Sequence, residues 1–132
     1  MSFKYKQSTG EMFYPDGSLL ALGYSGAGEG KNNPAMQNVA KVGPIPEGRY
    51  EIILIRDGTG ALCDYKGKKA PVLHLMPQEG NQMFGRAGFL VHGDSVSAPG
   101  TASEGCIILP HGARVLMARM VNEKDDVLQV IA

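Results

Sequence analysis

Apolar and polar residues alternate along most of this chain, the period of strands that bury one face. Phe3 and Tyr5 alternate with Lys4 and Lys6, which reads Phe3 to Gln7 as a strand. Ser8-Thr9-Gly10 turns it back into Glu11 to Tyr14, and Pro15-Asp16-Gly17 leads on to Leu19 to Tyr24, so the chain opens as a meander. Ser25 to Asn33, SGAGEGKNN, offers almost no side chain to bury and reads as a long surface loop. Gly43-Pro44-Ile45-Pro46-Glu47-Gly48 is a stiff corner, because each proline fixes its own φ and biases the residue before it toward extended backbone. It feeds Arg49 to Arg56, RYEIILIR, the most β-prone run and the expected central strand. Asp57 to Lys69 is a polar loop carrying Cys63, and Pro71 to Met76 is a further strand holding His74.

Two short apolar runs follow, Phe89 to Val91 and Ile107 to Leu109, joined by a loop of small residues. The period then changes. Ala113, Leu116, Met117, Met120 and Val121 recur at helical spacing, so Pro110 to about Asn122 reads as one amphipathic helix with proline at its start and this stripe in the core. Val127 to Ile131 is the last strand. The pattern predicts a mainly β fold, residues 1–132 forming a single domain, with one substantial helix after the second short run.

Composition sharpens this picture at a few points. The chain has 132 residues, enough for a core without staples, and 18 Gly with 8 Pro, as tight turns between many strands require. Its glycines have no three-residue period and 43% of residues are apolar, which excludes collagen and low complexity. Thirteen basic and thirteen acidic residues cancel, so nucleic acid is not an expected partner. No run approaches the roughly 18–20 apolar residues of a membrane span, and Met1 to Gln7 lacks a signal-peptide core, so the chain is expected to be made in the cytoplasm and not to insert in a membrane. Ser25 to Asn32 departs from the phosphate-loop pattern at both ends. Two cysteines make no framework, and pairing Cys63 with Cys106 would consume the most interesting thiol; both read as free.

That thiol carries the candidate chemistry. The first short run ends on His92-Gly93-Asp94, and Ser103-Glu104-Gly105-Cys106 opens the second. If the two strands lie side by side, the end of one meets the start of the other at a sheet edge, bringing His92 to Cys106. A neutral thiol is a weak nucleophile, and a nearby imidazole accepts its proton or, as imidazolium, stabilises the thiolate. Gly105 permits close backbone approach, so the N–H groups of Gly105 and Cys106 are candidates for an oxyanion hole. Gly93, Asp94 and Ser103 are candidates for orienting His92. Glu104 opposes a thiolate unless it points to solvent. Arg114, at the helix start, is a candidate for holding a substrate carboxylate. His74, His92, Cys106 and His111 match no zinc spacing, so no metal is expected.

These segments together carry a resemblance. Tyr5 with Ser8-Thr9-Gly10, the Gly/Asn-rich Gly26 to Pro34, Val42 to Tyr50, His92-Gly93-Asp94 and Ser103 to Leu109 resemble the L,D-transpeptidases, and more closely their small relatives among type VI secretion effectors. The resemblance spans nearly the whole chain. The housekeeping enzymes usually have His where Glu104 stands and Arg or Asn near Ile107 and Ile108; both departures fit the effector branch. The resemblance implies a β-sandwich or half-open barrel and a Cys106 nucleophile. That nucleophile would act on the tetrapeptide stems of peptidoglycan, releasing D-Ala to water (L,D-carboxypeptidase) or exchanging it by transpeptidation. It implies no cofactor. It also implies secretion into the periplasm of a target cell, with a cognate immunity protein and a secretion apparatus as partners. The rivals are a papain-like or NlpC-type amidase, whose Cys precedes its His and which would have to use Cys63, and a non-catalytic wall-binding module.

Overall fold

The computed structural model of the protein describes residues 2–132, so that of the Met1 to Gln7 segment Met1 lies outside them. Nine strands form one sheet: β1 (Phe3–Lys6), β2 (Glu11–Phe13), β3 (Leu19–Leu22), β4 (Tyr24–Ser25), β5 (Gly48–Leu54), β6 (Leu73–Pro77), β7 (Leu90–His92), β8 (Ile107–Ile108) and β9 (Val127–Ile131). Their order across the sheet is β3-β2-β1-β9-β5-β6-β7-β8-β4. β5 is therefore the middle strand, as its run of β-branched and aromatic residues predicts. β1 pairs with β9, and β7 with β8, in parallel; every other pairing is antiparallel.

The two edge strands, β3 and β4, are separated in the chain by Gly23 alone. A sheet whose opposite edges are one residue apart must curl onto itself, giving a nearly closed barrel rather than two stacked sheets. Gly23 is the closure. Its N–H donates to Gly10 O at 2.8 Å, and a Cβ on it would drive into Ile108 O on β8. This corrects the reading of Leu19 to Tyr24 as one strand: the chain leaves the meander at Gly23 and crosses to the far edge.

Inside the barrel lie Phe3, Tyr5, Tyr50, Ile52, Leu73, Val91, Ile107, Leu128 and Val130, all buried, the aliphatic residues and Phe3 each contributing about 2 kcal/mol. Helix α1 (His111–Asn122) closes the core with Ala113 and Met117. The expected stripe is rotated from its predicted place. Leu116 is 41% exposed, Met120 and Val121 are only partly buried, and Arg114 and Ala118 take the inner face instead. Pro110 is the residue before the first helical turn, outside the helix proper. No helix is long and apolar enough to cross a membrane among the described residues.

Ser25 to Asn33 is not the solvated loop its composition suggests. Ser25, Gly26 and Gly30 are buried, a 3-10 turn spans Gly28–Gly30, and Ala27 N–H donates to Val42 O at 2.8 Å. Glycines here bury backbone against backbone, which a search for apolar side chains misses.

Gly23→Ala is expected to cost more than about 2 kcal/mol, because the new methyl group must push β4 off β8. Gly112→Ala, where a Cβ meets nothing, is expected to be neutral or to gain up to about 1 kcal/mol from helix propensity. Urea titration of both variants checks the contrast, and equal effects would remove Gly23 as the closure.

Candidate active site

The register of β7 on β8 sets the site. Val91 pairs with Ile107 and His92 with Ile108. Val91 and Ile107 point into the core; because strand side chains alternate, His92 and Ile108 point to the outer face, and the same alternation carried one residue back from β8, into the bend that holds Cys106, puts the thiol on that face too. The parallel pairing corrects the end-to-start meeting expected from sequence. His92 and Cys106 are diagonal neighbours, two residues out of register, with Cα atoms on the order of 8 Å apart from strand spacing and rise. No hydrogen bond joins them; the Cys106 Sγ makes a long contact to Gly88 O, at 4.0 Å.

His92 is buried and its Nδ1 lies 2.8 Å from Gly93 O. A carbonyl only accepts, so Nδ1 carries the proton and neutral His92 presents Nε2 as a base. Nε2 has no hydrogen-bond partner among the described residues. Gly93 is thus the orienting candidate that touches the ring. Asp94 does not: its Oδ1 accepts from Tyr24 OH at 2.6 Å and from Ser95 N–H at 2.8 Å, pinning the loop after β7 to β4.

Ser103 is also engaged elsewhere. Its Oγ donates to Cys106 O at 2.6 Å and accepts from Gly105 N–H at 3.0 Å and Gly26 N–H at 2.9 Å. It shapes the turn that presents Cys106 rather than touching His92. The Gly105 N–H is consumed by that bond, which corrects its assignment as an oxyanion donor; the Cys106 N–H has no acceptor among the described residues and remains free. Gly105 serves by conformation, with φ at +138° and no room for a Cβ between Arg86 and Phe89. Its carbonyl accepts from Ser25 Oγ at 2.7 Å.

Arg86, which nothing in the local pattern marks, ties this turn to the rest of the molecule. It is 8% exposed and donates to Gln37 O (2.6 Å), Pro44 O (2.8 Å), Gly43 O (3.0 Å) and Glu104 O (3.2 Å). Arg114 is likewise buried. It donates to Leu109 O at 3.2 Å, Lys69 O at 3.2 Å and Pro71 O at 2.8 Å. Two of its nitrogens therefore have structural work, leaving Nη2 for anything else.

The loop before β6 covers the outer face. Tyr65 stacks edge-on against His74 at 4.7 Å between ring centres, and the charge of Lys68 acts on both His92 and Cys106. Burial pushes the Cys106 thiol up; the Leu90 N–H, Lys68 and Arg86 pull it back, and Glu104, exposed, adds a small push upward. Burial, with smaller contributions from Lys68 and Arg114, holds His92 below the usual imidazole range. Both groups are therefore neutral at pH 7, the state suited to a general base beside a thiol rather than a preformed ion pair. Cys63 is a free thiol in this covering loop, with its N–H donating to Ile55 O at 2.9 Å.

The family model described as the Tlde1 domain matches residues 20–132. The matched stretch contains every candidate site residue; β1 and β2 precede it but belong to the same sheet. No curated protein and no solved structure matched the chain.

An unfolded chain takes up a proton at His92 near the ordinary pKa of 6.5, whereas the folded chain resists it until lower pH. Stability present at neutral pH is therefore lost as pH falls through that window. Thermal melts from pH 7.5 to 5 should show this decline, and His92→Gln should flatten it, leaving the share of His74, which burial also lowers. An unchanged slope in the variant would mean that His92 is not held neutral.

Proposed function

The chain belongs to the Tlde1 domain family, a family of type VI secretion effectors acting as enzymatic toxins, and from that premise we propose that it is a cysteine acyltransferase of peptidoglycan stem peptides. Cys106 is its nucleophile and His92 its base. The observation that carries the reading is the shared outer face of β7 and β8. There a thiol and an imidazole with free Nε2 stand one diagonal step apart, a gap their side chains together can close.

In this reading His92 Nε2 takes the Cys106 proton as Sγ attacks the carbonyl of the penultimate residue of a tetrapeptide stem. The free N–H of Cys106 stabilises the oxyanion. The C–N bond then breaks, His92 returns the proton to the departing amine, and D-Ala leaves a thioester on Sγ. Water resolving the thioester gives L,D-carboxypeptidase activity; an amine gives exchange or a cross-link. Ser103, Gly105 and Arg86 hold the turn on which Cys106 sits. The substrate lies outside the cytoplasmic membrane, which fits an effector delivered to the periplasm of another cell and an immunity protein in cells that make it.

Cys106→Ala should abolish release of D-Ala from a purified tetrapeptide muropeptide, read as intact mass, with an unchanged circular dichroism spectrum. Cys63→Ala should stay within a few-fold of the parent. Retained turnover by Cys106→Ala would remove the central claim, and loss on Cys63→Ala with intact folding would favour an amidase. In a Gram-negative host, the protein fused to a periplasmic signal peptide should cause rounding or lysis that Cys106→Ala cancels. Equal toxicity of the two exported forms would overturn the effector reading for this activity.

The rate profile follows from His92. Because the base must be neutral, kcat/KM should rise with an apparent pKa below 6.5, the direction burial imposes. An ascending limb centred well above that value would assign the base elsewhere.

A further inference from the structure

A cavity of about 560 Å³ opens beside Gly93 and Ile108, next to His92 though not lined by it, and apart from the smaller one of about 390 Å³ that Cys106 and Glu104 line with Arg86. It is bounded by Gly93, the neighbour of His92 in the chain, and by Ile108, its partner in the register. Its wall is cationic. Lys68 and Lys69 come from the covering loop, and Arg114 from the first turns of α1. Asp94, the acidic group in the lining, is already engaged by Tyr24, Ser95 and Gly100.

Two features of this wall point independently to an anion. Arg114 is 7% exposed and its Nε and Nη1 meet backbone carbonyls; Nη2 has no acceptor, and no carboxylate bonds the guanidinium, among the described residues. Nη2 is not among the buried unpaired atoms, so it keeps access to the cavity that Arg114 lines, where a carboxylate oxygen can meet its N–H. The start of α1 is the second feature: it has no side-chain cap, and Pro110 and His111 both line the cavity, so the uncapped first turn of a twelve-residue helix borders the same space.

We propose that this cavity holds the free amino acid that leaves or enters the thioester, gripping its α-carboxylate between Arg114 Nη2, the two lysines and the start of α1. The inference rests on the acyl-transfer reading and adds where the second substrate sits. An amine attacking the thioester must reach His92 Nε2 to lose its proton, and in an α-amino acid the carboxylate is one carbon from that amine. An amine placed beside His92 therefore puts its carboxylate into the cationic wall. In the reverse direction the proton passes from His92 to the leaving nitrogen, and the same grip holds the product. The Cys106 side is left for the donor stem.

Binding tests this without turnover. Isotope-labelled Cys106→Ala protein is titrated separately with D-alanine and D-alaninamide while backbone amide shifts are followed. D-Alanine should shift Gly93, Ile108, His111 and Gly112 and saturate on the order of millimolar, as suits so small a ligand. D-Alaninamide, lacking the carboxylate, should shift none of them at equal concentration. Lys68→Ala with Lys69→Ala should weaken D-alanine about tenfold, the loss expected for charge-assisted contacts. Arg114→Gln should do more if it folds, and the lysine pair decides the matter if it does not. Equal response to both ligands, shifts confined to other residues, no binding, or full affinity in the double-lysine variant would each overturn the proposal. Stem trimming by wild-type protein that binds no D-alanine would sink this inference alone; D-alanine binding without trimming would sink the reaction and leave the carboxylate site.

Discussion

The parallel pairing of β7 with β8 is the constraint on which the rest depends. It places Val91 and Ile107 in the core and, by alternation, His92 and Cys106 on the opposite face. A slip of one residue would bury Cys106 among core side chains and turn Ile107 to solvent, so the hydrophobic pattern itself guards the register. Parallel strands need a crossover, and the loop from Gly93 to Gly105 provides it without a helix of its own. Such a connection must find its hydrogen bonds one by one. Tyr24 and Asp94 fix its beginning, Ser103 and Ser25 its end, and Arg86 fastens Glu104 O to the Gln37 to Pro44 segment.

Closure of the barrel supplies those partners. Because β4 lies against β8 on one side and follows β3 through Gly23 on the other, Tyr24 and Ser25 arrive beside the loop they hold. The glycines of the 26–30 segment let Val42 and the corner after it approach closely enough for Ile45 N–H to donate to Ser25 Oγ at 2.9 Å. Ser25 therefore links the corner, the edge strand and the Cys106 turn in a single hydroxyl.

Electrostatics follow from the same packing. His92 is buried and has cations near it, so burial and neighbouring cations act in one direction on the imidazole and in opposite directions on the thiol. A neutral pair costs less to bury than an ion pair. The Arg114 guanidinium is held by neutral carbonyls alone, and in the proposed reading the counter-charge for these cations comes from a ligand.

Local pattern determined much of this in advance. Most strand positions, the middle place of the Arg49 to Arg56 run, the helix near Pro110 to Asn122 and the nearness of His92 and Cys106 to two short neighbouring strands were legible, because periodicity and turn residues act over a few positions. The parallel sense of the β7–β8 pairing was not, nor the break at Gly23, the rotated helix face that buries Arg114, or the roles of Ser25, Arg86 and Lys68. Each of these depends on what lies across the sheet rather than along the chain. A buried serine or arginine looks in sequence like a surface one, since its burial is set by carbonyls distant in the chain that must be satisfied. The sequence by itself put Cys106 and His92 forward as the proposed nucleophile and base; how close the fold brings them and which N–H groups keep no acceptor were decided by strand register and barrel closure, because only these fix directions in space.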